Sequence, residues 1–126
     1  MTDFGRRGCL YVDRGDAQTF DKDTSAFTID GTWHDLDLSA IVPAGAYVIN
    51  ISCYVRATAA AQVLTFRENG NTKGNNALTA RTQVAAVSLQ FTGLVACNAN
   101  RIIEYLASNV TVDLIRLNII GWFLRV

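Results

Sequence analysis

Candidate chemistry in this 126-residue chain starts with its single histidine, His34, which precedes Asp35, Asp37 and Ser39 on one short stretch. A serine–histidine–carboxylate relay needs His34 and Ser39 brought together by geometry that this spacing does not supply. Asp35 and Asp37 share one face of an extended segment, whereas glycoside hydrolysis needs two carboxylates facing each other across a bond. Asp21 and Asp23 open like a calcium loop, but the glycine and closing glutamate of such a loop do not follow. Arg14-Gly15-Asp16 spells an adhesion tripeptide, for which a turn at Gly15 is the plainer reading. Cys9, Cys53 and Cys97 are odd in number and lack metal-ligand spacing, so Cys53 and Cys97 read as buried small hydrophobes. The sequons at Asn50 and Asn109 are taken as chance. These residues point to no enzyme, no metal and no cofactor.

One polar stretch is different in kind. Glu68 to Gln83, ENGNTKGNNALTARTQ, is the longest break in the hydrophobic pattern and reads as a connection. Connections of this length in compact domains are often functional. Asn69, Asn71, Lys73, Asn75, Asn76 and Arg81 carry the amide and basic groups that bind sugar hydroxyls or a protein partner. They form the candidate binding loop, with a host-surface glycan as its candidate ligand.

The elements that position these residues are strands. Tyr47, Ile49, Ile51, Cys53 and Val55 alternate with Asn50, Ser52 and Arg56, the period of two that marks a sheet with one dry face. A corner at Pro43-Ala44-Gly45 precedes this strand; Pro43 fixes its own φ and Gly45 takes backbone angles closed to other residues. Further strands are expected at Ser25–Ile29, Trp33–Leu38 with a bulge near Asp35, Gln62–Arg67, Val84–Cys97 with a bend at Gly93, Arg101–Ala107 and Thr111–Val126. Residues 1–24 read as a polar arm, mobile or held by a neighbouring subunit, in which only Cys9-Leu10-Tyr11-Val12 could add a short strand, and residues 25–126 as the folded domain. Seven to eight strands separated by Gly, Asn and Asp turns, with no amphipathic helix, predict an all-β antiparallel sandwich of jelly-roll-like form. In the last strand the second face turns apolar at Ile120, Trp122 and Leu124. A strand apolar on both faces needs cover on both, so these three residues are expected at an interface between copies.

The totals agree with a structural role. Half of the residues are hydrophobic, 17% are charged, and eleven basic side chains balance eleven acidic ones. Zero net charge provides no electrostatic attraction for nucleic acid or an anionic membrane. It also offers little repulsion between copies, which suits an assembly. The polar start of the chain does not read as a leader peptide, and no apolar run is long enough to span a bilayer.

Gly31 to Ala46 (GTWHDLDLSAIVPAGA), Phe66 to Asn71 (FRENGN), Ile103 to Tyr105 (IEY) and Ile119 to Trp122 (IIGW) together resemble small β-sandwich domains of tailed-bacteriophage and prophage genomes. Tyr11 to Asp16 (YVDRGD) belongs to the same pattern. Those domains are virion structural proteins of the head-decoration or tail-fibre kind. The resemblance implies a non-enzymatic virion component, often a homotrimer, that docks on other virion proteins through the N-terminal arm. The alternative is a carbohydrate- or receptor-binding sandwich that uses the 68–83 loop.

Overall fold

The computed structural model of the chain describes residues 8–73 and 75–125. Eight strands follow in order: β1 (Cys9–Asp13), β2 (His34–Asp37), β3 (Ala46–Ala57), β4 (Val63–Glu68), β5 (Ala77–Arg81), β6 (Leu89–Ala96), β7 (Ile102–Ala107) and β8 (Val112–Arg125). They form two four-stranded sheets, ordered β1-β8-β3-β6 and β2-β7-β4-β5, with every pairing antiparallel. Strand 1 pairs with 8, 2 with 7, 3 with 6 and 4 with 5, as in one long hairpin rolled into two layers. This is the jelly-roll winding that the sequence predicts.

The inner rows come from strict alternation. Ile49, Ile51, Cys53, Val55 and Ala57 of β3 meet Ile115, Leu117 and Ile119 of β8 in the first sheet. Leu64 and Phe66 of β4, with Ile103, Tyr105 and Ala107 of β7, face them from the second. All belong to one buried cluster, the core between the layers. The corner at Pro43 is as expected: Ala46 N–H donates to Pro43 O at 3.3 Å, and Gly45 has φ +95°.

Several expectations fail for local reasons. No strand forms at Ser25–Ile29; Thr24–Ala26 is a single 3-10 turn capped by Asp23, after which Phe27 enters the core edge-on to Tyr105 at 4.8 Å. The β2–β7 register runs unbroken through Asp35, so the expected bulge is absent there. Trp33 simply lies on the outer face, where the Arg67 guanidinium covers its ring at 3.7 Å. The strand expected from Val84 begins only at Leu89. Before it the chain turns through Ala86 at φ 63°, leaving Val84 and Val87 more than half exposed. Gly93 does not bend β6, whose register with β3 is continuous.

The polar arm is also placed differently. Cys9–Asp13 is a strand paired along the end of β8, Lys22 bridges Leu117, and the Thr24 hydroxyl receives Ile115 N–H at 3.0 Å. Described residues up to Thr24 therefore run along the β8 edge of their own chain. Any docking role of the arm falls largely on residues 1–7, which lie outside the described residues.

The two-faced end of β8 has an internal explanation. Ile51 pairs with Ile119 but Asn50 pairs with Gly121, so Ile120 is an extra residue, a bulge that reverses the alternation. Beyond it Trp122 and Leu124 turn to the core side, opposite Ile49 and Ala46, and pack on the buried cluster. Two of the three residues assigned to a contact between copies thus pack, partly buried, on the core of their own chain. The sandwich itself supplies part of the cover that the apolar run demands.

Candidate functional site

The β4–β5 connection is shorter than the sequence suggests, because β5 lies inside it. Arg81 sits at the far end of that strand, four residues and about 13 Å from Ala77, and its Nη1 donates to Ala61 O at 3.4 Å. The six-residue binding set is therefore divided. Asn69 is engaged internally: its Nδ2 donates to Asp35 Oδ1 at 2.6 Å and Glu104 Oε2 at 3.2 Å, and its Oδ1 accepts from Asn98 Nδ2 at 3.1 Å. Arg67 Nε donates to Glu104 Oε1 at 2.8 Å, with both side chains largely buried. This network of Asp35, Arg67, Asn69, Asn98 and Glu104 stiffens the outer face of the second sheet. Asn71 N–H closes the turn onto Glu68 O, and only Lys73, Asn75 and Asn76 of the set project freely as a short exposed tip.

The other chemistry-bearing residues also have structural roles. His34 Nε2 is 2.9 Å from Asp30 Oδ1, while the N–H of Ser39 goes to Asp37. Hydrogen bonds from His34 and then Thr32 hold the Asp30 carboxyl down at about 2. Arg14 of the tripeptide pairs with Asp21, and Gly15 turns at φ 87°, its N–H on Asp13. Asp23 caps the 3-10 turn, so the two aspartates of the calcium-like spacing serve separate purposes. Among the described residues, no three His, Cys, Asp or Glu side chains cluster as a metal site.

Cys53 and Cys97 are both free and buried. Burial pushes the Cys53 thiol up to about 12; burial, then the nearby Glu68 charge, raises that of Cys97. Only thiolates alkylate readily. Iodoacetamide on the native protein is therefore expected to modify exposed Cys9 alone, with Cys53 and Cys97 reacting only in denaturant. Mass spectrometry of the three peptides checks this.

An open cleft of about 670 Å³ lies at one end of the sandwich, lined by Tyr47, Glu68, Cys97, Asn98 and Arg125 among others. The Arg125 guanidinium lies over the Tyr47 ring at 4.3 Å. Asn98 is held in the polar network, and its Oδ1 takes the N–H groups of Asn100 and Ile102.

The outer face of the first sheet is of another character. One cross-strand row reads Tyr11–Phe123–Val48–Ala96, and the next, Asp13–Gly121–Asn50, is polar until it ends in Leu94, which is 55% exposed. Tyr11 and Phe123 stack at 4.9 Å. The matching rows of the second sheet read Asp35–Glu104–Arg67–Ala77 and Leu106–Thr65–Thr79. An apolar strip thus crosses one outer face only. Composition hides this strip, since its residues come from four strands distant in sequence.

Comparison with known proteins gives no family model that matches the chain and no match among curated proteins. Two solved structures are similar in shape. One is a carbohydrate-binding module of Cellvibrio mixtus lichenase 5A in complex with cellotriose, at 18% identity and TM-score 0.44, covering 88% of this chain and 86% of that one. The other is the coat protein of Tobacco streak virus, at 9% identity and TM-score 0.35, covering 99% and 88%. Similarity at this level carries no functional inference for this chain.

Proposed function

We propose that the chain is a non-catalytic structural module that assembles with copies of itself, and that it serves as a virion component of the head-decoration or tail-fibre kind. The observation that carries the self-assembly is the apolar strip Tyr11–Phe123–Val48–Ala96 with Leu94, on the outside of one sheet. Contiguous apolar surface of this sort, exposed at Tyr11 and Leu94 and half-buried between them, marks an interaction site, and zero net charge lets like copies meet without repulsion. The virion setting and a three-fold arrangement rest on the resemblance carried by residues 31–122.

Light scattering tests it. The wild-type chain is expected to run as an oligomer at micromolar concentration. Val48→Asp, which places a charge in the middle of the strip, is expected to return the mass to the 13.7 kDa of one chain with an unchanged far-ultraviolet spectrum. A monomeric wild type overturns the reading.

A second reading is favoured by the end cleft, where the Tyr47 ring, the Glu68 carboxylate and the Arg125 guanidinium line one open space, as sugar recognition requires. In that reading the module binds a host-surface glycan. A glycan array without hits removes it.

A further inference from the structure

The structure assigns β6 as a strand-pairing edge for a second copy of this chain, an inference that rests on the self-assembly proposed above and names the contact. Sheets end in strands whose outward N–H and C=O groups lack partners, and natural proteins blunt such edges with charges, proline, bulges or shortness. Four strands are edges here: β1, β6, β2 and β5. β1 carries Asp13, β2 carries Asp35 and Asp37 in only four residues, and β5 carries Arg81 in five. β6, LQFTGLVA, is eight residues long with no charged residue and no proline. Its register with β3 also runs without a bulge from Val48↔Ala96 to Val55↔Leu89.

The direction of its free groups follows from one hydrogen bond. Cys97 N–H donates to Tyr47 O at 3.1 Å, so residue 97 points its backbone groups at β3. Along an unbroken antiparallel ladder this direction alternates. Leu89, Phe91, Gly93 and Val95 therefore face β3, while Gln90, Thr92, Leu94 and Ala96 face away from the sheet. Among the described residues, none of the backbone hydrogen bonds made outside the paired strands involves these four.

A second copy fits this edge because the edge complements itself. Antiparallel pairing about a two-fold axis at Gly93 sets Thr92 opposite Leu94 and Gln90 opposite Ala96 of the other copy, and every outward N–H meets a carbonyl. Like charges directly opposite one another destabilise such a pairing, which disfavours β2, where Asp35 would face Asp37, and leaves β6 unhindered and longer than β5. Ala96 also ends the apolar row Tyr11–Phe123–Val48, with Leu94 beside it on the same strand, so pairing here continues that row from one copy into the next.

The test uses the full chain. Thr92→Pro removes an outward N–H and leaves the bonds to β3 in place, whereas Thr92→Val keeps the N–H. By light scattering, Thr92→Pro is expected to halve the assembly mass, a dimer going to monomers or a pair of trimers to single trimers, and Thr92→Val to keep it. If Thr92→Pro keeps the wild-type mass, the β6 contact is overturned; if Val48→Asp still dissociates that assembly, the proposed function survives. Should Thr92→Pro fail to fold, amide exchange of the wild type decides. Protection of the Gln90, Thr92, Leu94 and Ala96 amides that rises with protein concentration supports the contact. Rapid exchange at every concentration overturns it.

Discussion

Gly121→Val is expected to unseat β1 and lower stability by about 1–3 kcal/mol, the usual range for forcing bulk into a packed site. A Cβ at this position runs directly into the Tyr11 phenol and the Val12 carbonyl. Tyr11 lies across the glycine to reach Asn50, whose Nδ2 donates to the Tyr11 hydroxyl at 3.3 Å. The Val12 carbonyl belongs to the backbone, so it yields only if the strand moves. Because β1 is an edge strand, it is the element that moves. Gly93→Ala is the control: its Cβ meets only the Leu78 side chain, the two methyls at 2.6 and 2.8 Å and Cγ at 3.3 Å, which shifts by a rotamer change. Urea denaturation midpoints are expected to fall much further for Gly121→Val than for Gly93→Ala. Equal midpoints would show that β1 does not lie over Gly121.

The same bulge and glycine mark the limit of what periodicity reveals. The inner rows of β3, β7 and the first half of β8 are legible because alternation there is uninterrupted and most inward side chains are large aliphatic or aromatic ones. Ile119-Ile120-Gly121-Trp122 is apolar throughout, so nothing in the letters shows where the phase reverses. The interface expected at Trp122 and Leu124 followed from that blind spot. β1 is legible only as a short apolar segment, Cys9 to Val12, inside a polar arm; its partner is not, because it pairs Cys9 with Arg125 at the other end of the chain. β5 buries only Ala80, so its five residues read as part of a polar loop. Ala85 to Leu89 continues the alternation of β6 although the chain is turning, because small residues satisfy a period without packing anything.

Candidate site residues fared according to how local their roles are. The turns at Gly15 and Asn98 involve neighbours a few positions away and are readable as turns. The role of Asn69 depends on β4 pairing with β7, which brings Glu104 within reach across 35 residues. A loop asparagine therefore looks free in sequence and is fixed in the fold. The apolar strip depends on the order of four strands, a property of the winding and not of any segment.

Asp21→Ala is expected to cost about 3 kcal/mol near neutral pH, the order found when one partner of a mostly buried ion pair is removed. The Asp21 side chain is 6% exposed and receives Arg14, and the Ile119 N–H donates to it at 2.8 Å. It stands where β1 has left β8 at Asp13 and before Lys22 rejoins at Leu117, closing the gap in the ladder with a side chain. Truncation strands the Ile119 N–H and leaves a half-buried guanidinium without its counter-charge. Burial by itself raises the Asp21 pKa, but the Arg14 and Ile119 hydrogen bonds outweigh it and hold the group below its ordinary 3.8. A carboxyl depressed in the folded state adds stability that is complete above the unfolded value and is lost as pH falls through the folded one. The gap between wild type and Asp21→Asn, which keeps an acceptor for Ile119 but no charge, is therefore expected to be full near neutral pH and to shrink below about pH 4. Denaturation curves for both proteins across that range measure it. A gap that stays constant into acid would mean that Asp21 contributes through shape alone, and that the first strand is held to β8 without the help of charge.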